Sequence, residues 1–159
     1  MVTQTGFHLA QVNIGRLKAP IDDPLIADFV AQLDEINALA DRSPGFIWRL
    51  QDESGNATAV PAFDDPLMII NMSVWESLEA LGAYVYRSDH TRVLTRRRDW
   101  FEKMDRPHMA LWWIPAGTLP TVADAKERLA VLEANGPTAA AFTFRERFAP
   151  TAPMQVAAS

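Results

Sequence analysis

The sequence contains no cysteine. Disulfides, thiolate nucleophiles and thiolate metal ligands are therefore excluded. It has no apolar run near the ~18–20 residues that a membrane-spanning helix needs. Positive charge is scarce: 15 Lys and Arg stand against 20 Asp and Glu, for a net charge of −5. A bulk attraction to nucleic acid or to anionic lipid is thereby removed, and neither is expected as a partner. No glycine-rich phosphate loop and no G-x-S-x-G elbow is present. The 3 histidines are scattered. Asp22, Asp23, Asp64 and Asp65 sit at turn-like positions and read as caps, so no metal site is expected. MVTQTGFHLAQVN lacks a basic start followed by an apolar run, and a cytoplasmic location is expected. Asn56 and Asn71 then match glycosylation sequons by chance.

What remains is a globular composition. Hydrophobic residues make up 48% and charged residues 22%, enough apolar material in 159 residues for a proper core. One domain over residues 1–150 and a loose tail over 151–159 are expected.

FHLAQVNIGR reads as a first strand. Asp23-Pro24 gives an N-cap and a proline at the first helical position. Leu25, Ile26, Phe29, Val30, Leu33, Ile36 and Ala40 then repeat at helical spacing. Pro44-Gly45 stops that helix. GFIWRLQDE is a second strand, Ser54-Gly55-Asn56 a turn, and Pro66 to Trp75 a third strand. Ser77 caps a helix from Leu78, and Ser88 is a second cap where the helix breaks and restarts through Glu102. HMALWWIP is a fourth strand. Thr121 to Glu133 adds a helix that ends at Asn135-Gly136-Pro137. AAFTFRERF is a last strand or an arm. The order is α+β, a ferredoxin-like βαββαβ subunit with an extra C-terminal helix and strand.

LMIINMSVW and MALWWIP hardly alternate between apolar and polar. A sheet with one wet face should alternate, so both faces are expected to be covered. The expected second cover is another subunit. The reading is a homodimer paired face to face, with Met68, Ile70, Met72 or their alternates in the interface.

These features resemble the dimeric α+β barrel superfamily, which includes antibiotic biosynthesis monooxygenase-like proteins. WRLQDESGNAT, FDDPLMIINMSVWES, YVYRSDH and RRRDWF are similar to one family in it that is labelled a domain of unknown function. The resemblance covers roughly Phe7 to Gly117 and implies a pocket between sheet and helices. It is also similar in spacing to a polyketide cyclase of that superfamily: an aromatic residue followed by Glu-Ser, a tyrosine nine residues on and a histidine fifteen on. Here these are Trp75, Tyr84 and His90, and His8-Leu9 sits as a comparable His-Leu does. The resemblance implies a cofactor-free enzyme of cyclase, isomerase or monooxygenase type, acting on an aromatic or polyketide-like metabolite. A ligand carrier or sensor is the alternative. A haem protein is a second alternative, since several superfamily members bind haem through a histidine on the second helix.

The candidate catalytic residues are His90, Tyr84, Tyr86 and Arg97. His90, Val93, Leu94, Arg97, Phe101 and Met104 fall on one helical stripe. An imidazole there moves a proton near neutral pH, and a guanidinium holds an anionic oxygen. As packing, His90 ties two helices together. Tyr86 shares the face of His90 on an unbroken helix, and Tyr84 lies about 120° away; each lines the pocket or fills the core. The candidate substrate-binding residues are Trp75, Asn71, His8, Trp48, Trp113 and Phe101. Adjacent Trp112 and Trp113 point to opposite sheet faces, one to the pocket and one to the interface. Asn71 and Ser73 share a strand face with Trp75, and an amide there needs a partner. Gln11 and Asn13 raise the same question on the first strand.

Overall fold

The computed structural model describes residues 6–51, 63–87, 97–104 and 106–150. The Ser54–Asn56 turn, the cap at Ser88, His90 and the 151–159 tail lie outside the described residues.

Strand β1 (Phe7–Arg16) leads through a 3-10 turn (Pro24–Ile26) into helix α1 (Ala27–Asp41). Asp23 caps the turn by accepting from the Leu25 N–H at 2.8 Å, and Pro24 follows it where no N–H is needed. Strands β2 (Phe46–Arg49) and β3 (Met68–Trp75) come next. Helix α2 (Leu78–Arg87), a single turn α3 (Arg97–Trp100), strand β4 (Met109–Pro115) and helix α4 (Val122–Asn135) complete the order. The sheet runs β2-β3-β1-β4, and each of its neighbouring pairs is antiparallel. This is the ferredoxin-like α+β arrangement.

Pro44-Gly45 ends the α1 segment for a steric reason. Gly45 has φ +83, and a Cβ on it would lie 2.5 Å from the Ala80 Cβ of α2. Only glycine turns the chain so close to α2. At the other end of the sheet Arg16 bonds Asp65 and Glu102, each at 2.7 Å, and holds two connections against β1. The arginine lowers the Asp65 pKa from its usual range, helped by the Leu67 N–H.

The helix expected to run through Glu102 stops at Trp100. Beyond it the backbone turns outward along β1: Lys18 N–H donates to Trp100 O and Glu102 N–H to Arg16 O, both at 2.8 Å. Phe101 thus sits in a bridge opposite Leu17 rather than on a helical stripe.

The pleat divides the sheet residues cleanly. Leu9, Gln11, Asn71, Ser73, Trp75 and Leu111 face α1 and α2. Ala10, Val12, Ile14, Ile70, Met72, Val74, Ala110, Trp112 and Ile114 form a second core on the reverse face, with Ala125, Leu129 and Leu132 of α4. Both faces are covered, as the weak alternation of β3 and β4 requires. At least part of the cover of the reverse face comes from the same chain. Helix α4 of the same chain packs there, and Ile70 is 2% and Met72 0% exposed. Trp112, one of the pair divided between pocket and interface, lies under α4 with Arg128 over its ring.

Helix α4 is fixed at its start by a reciprocal capping box. Thr121 Oγ1 accepts from Asp124 N–H at 3.1 Å, and Asp124 accepts from Thr121 N–H at 2.9 Å. The expected last strand is an arm. It touches β4 at one bridge, where Leu111 and Phe142 exchange backbone bonds of 2.8 and 2.9 Å. Trp113 Nε1 then donates to Phe148 O at 2.7 Å and ties the arm down again.

Candidate active site

Between α1 and the sheet lies a cavity of about 170 Å³. One end is closed by Trp75 and Tyr84, whose rings stack with centroids 5.1 Å apart. The other end is lined by Phe29, Trp100 and Phe101, and α1 supplies Leu33, Ile36 and Asn37 as a roof. The floor is the central strand pair. Its register sets Gln11 opposite Ser73 and Asn13 opposite Asn71, so four polar side chains meet on one face.

Three of these groups bond one another. Gln11 Nε2 donates to Asn71 Oδ1 at 2.9 Å and to Ser73 Oγ at 2.8 Å. Trp75 Nε1 also donates to Ser73 Oγ, at 2.8 Å. Gln11 is 6% and Ser73 7% exposed, so burial strengthens both bonds and makes any loss costly. Asn71 is exposed at the open side.

Tyr84 reaches the cavity from α2 and donates its hydroxyl to Ile36 O at 3.3 Å. Burial, the largest cause, drives its pKa upward; Arg49 opposes this and Asp41 adds to it. Tyr84 therefore stays a neutral phenol in the physiological range and is not a base. Arg49 stands at the wall in a two-pronged pair with Asp41, at 2.8 and 3.3 Å. Its side chain is only 12% exposed.

The structure thus brings Tyr84, Trp75, Asn71 and Phe101 to one cavity. Tyr86 stands elsewhere: it is 56% exposed and meets Phe144 edge-on at 5.3 Å. His8 pairs with Ile114 and Trp48 with Val74, which puts both on the α4 face. Trp113 faces the α2 side but packs beside the cavity rather than lining it. His90 and the Arg97 side chain lie outside the described residues. Gln11 and Ser73 are the central members of the floor. Their signal in the sequence was polarity at alternate positions of apolar strands.

Among the described residues no group of three or more His, Asp or Glu is placed to hold a metal ion. A cavity of about 170 Å³ is near the ~150 Å³ that holds one benzene. No helix of the described residues is long and apolar enough to cross a membrane.

The fold, with a cavity between α1 and the sheet, defines an α+β protein of the ferredoxin-like class. The chain belongs to the family described as Domain of unknown function (DUF3291), which it matches over residues 8–158. Comparison with curated proteins found no match. Among solved structures, the chain is similar to SnoaB, a cofactor-independent oxygenase from Streptomyces nogalater. The identity is 18% and the TM-score 0.45, over 72% of this chain and 98% of that one. It is also similar to a protein of unknown function from Nitrosomonas europaea, at 11% identity and a TM-score of 0.47, over 74% of this chain and 98% of that one. A conserved protein from Methanosarcina mazei matches at 13% identity and a TM-score of 0.47, over 72% and 97%.

Proposed function

We propose that the protein is a small-molecule pocket enzyme that works without a cofactor, with cyclisation, isomerisation or oxygenation as its chemistry. Its substrate is an aromatic or polyketide-like metabolite. The observation that carries this reading is the apolar cavity with a hydrogen-bonded polar floor, Gln11, Asn71 and Ser73 against Trp75. Apolar walls with a few convergent polar groups are the general form of a ligand site. In this reading His90 is the acid–base group, Tyr84 is a neutral donor to a substrate oxygen, and Arg97 holds an anionic group that forms during reaction. The test is a thermal-shift screen followed by a turnover assay on every stabilising compound. Conversion that is lost in His90→Ala supports the enzyme. A homodimer paired face to face through the sheets remains part of the proposal.

One observation favours a second reading, a carrier or sensor. The ionisable side chains at the cavity among the described residues are Arg49, which is paired, and Tyr84, which is held neutral. Neither is a base. A compound that raises the melting temperature and is never converted supports the carrier.

A further inference from the structure

We propose that the cavity selects an uncharged, flat ligand that carries a hydrogen-bond acceptor and donor side by side, as a lactam or a hydroxy-ketone does. This rests on the pocket reading above and narrows it to a ligand class.

The hydrogen-bond bookkeeping of the floor points there. A glutamine amide nitrogen has two hydrogens, and Gln11 spends both, on Asn71 Oδ1 and Ser73 Oγ. Its carbonyl oxygen is left without a protein partner among the described residues. A serine hydroxyl has two lone pairs and one hydrogen. Ser73 accepts twice, from Gln11 and from Trp75, so its hydrogen is unspent. Two inward donors polarise that hydroxyl and make it a better donor in turn. The floor thus offers one acceptor, Gln11 Oε1, beside one donor, the Ser73 O–H. The Asn71 amide nitrogen is a second donor at the open side.

Charge decides the rest. The Arg49 guanidinium is committed to Asp41, and the Tyr84 hydroxyl to Ile36. Among the described residues, a carboxylate that entered would lose its hydration against neutral dipoles and a guanidinium already paired with Asp41, which is costly. An ammonium group would meet no carboxylate on the wall among the described residues. A neutral donor–acceptor pair loses less water and matches what the floor offers. The size follows from about 170 Å³ between aromatic ends, with the side of Asn71 open. That volume suits one ring inside and a second at the opening.

The test is calorimetric titration of the full chain with two compounds of one ring system. 2-Quinolone is an uncharged lactam, and quinoline-2-carboxylate is its anionic counterpart. The lactam is expected to bind at least ten-fold more tightly. Ser73→Ala is expected to weaken the lactam about ten-fold, the loss of one buried donor. Asn71→Ala, at an exposed position, is expected to weaken it two- to five-fold, and it serves if Ser73→Ala fails to fold. A carboxylate that binds as tightly as the lactam overturns the ligand class and leaves the pocket reading standing. Lactam binding unchanged in the folded variants overturns recognition by the floor. If neither compound binds, the proposal fails and the wider reading is then judged by the thermal-shift screen alone.

Discussion

Leu129→Ala tests whether α4 is a fixed part of the core. Leu129 is 8% exposed and packs in the cluster that holds Trp112 and Met72. Removing its branched end leaves a hole that Trp112 and the short Ala125 cannot fill. Substitutions of this kind cost about 2–5 kcal/mol, and a nearly buried site in this cluster belongs at ~3 kcal/mol. For a chain of this length that lowers the melting temperature by about 6–12 °C. Differential scanning calorimetry at several protein concentrations is the assay. If α4 covers the sheet within one chain, the loss is the same at every concentration. A subunit seated there instead would make the loss itself change with concentration. A drop under ~2 °C, or a drop that changes with concentration, refutes the packing argument.

Further outcomes follow from other residues. Gly45→Ala places a Cβ against Ala80 at positive φ and is expected to cost roughly 2 kcal/mol or more, read by urea denaturation. Tyr84 has its pKa raised in the folded chain, so its stabilising contribution is full below the ordinary tyrosine value of ~10 and fades as pH rises above it. Tyr84→Phe is therefore expected to flatten the alkaline loss of stability, seen in melts between neutral pH and pH ~11; an unchanged slope contradicts the assignment. Asp65 is shifted the other way by Arg16, so its contribution is present above the ordinary carboxylate value and is lost as pH falls. Asp65→Asn is expected to flatten the acid limb of the same profile, and an unaltered limb would count against it.

Much of the fold was legible in the sequence. β1 was read at its observed bounds, since Phe7 to Arg16 alternates enough to be seen. The proline after Asp23 and the glycine at 45 marked the α1 segment because each has one backbone role. The weak alternation of β3 and β4 was a true sign of two covered faces. What covers the second face was not legible. The Thr121–Glu133 helix was visible, but periodicity does not say where a helix docks. The end of α3 was missed because Phe101 and Met104 continue a helical spacing by chance, while backbone bonds to Arg16 and Lys18 decide the path.

The site was legible in its residue types and not in its pairing. Asn71, Ser73, Gln11 and Asn13 stood out as polar residues in apolar strands. That Gln11 faces Ser73, across 62 residues of chain, depends on strand register. Register is a long-range property that no local window contains. Tyr84 and Tyr86 looked alike from spacing. Contact with Trp75 turns one into the cavity, and contact with Phe144 holds the other at the surface.

The central claim is that the space between α1 and the sheet is where a small molecule binds. The chain has 5 tryptophans, and each contributes one indole N–H signal to a nitrogen–proton NMR spectrum. Trp75 donates its indole hydrogen to Ser73 at the cavity floor, whereas Trp48 and Trp112 lie on the reverse face. With signals assigned by single Trp→Phe variants, titration with 2-quinolone is predicted to move the Trp75 resonance and leave those of Trp48 and Trp112 in place. Movement of the Trp48 or Trp112 signal with Trp75 unmoved would contradict the account.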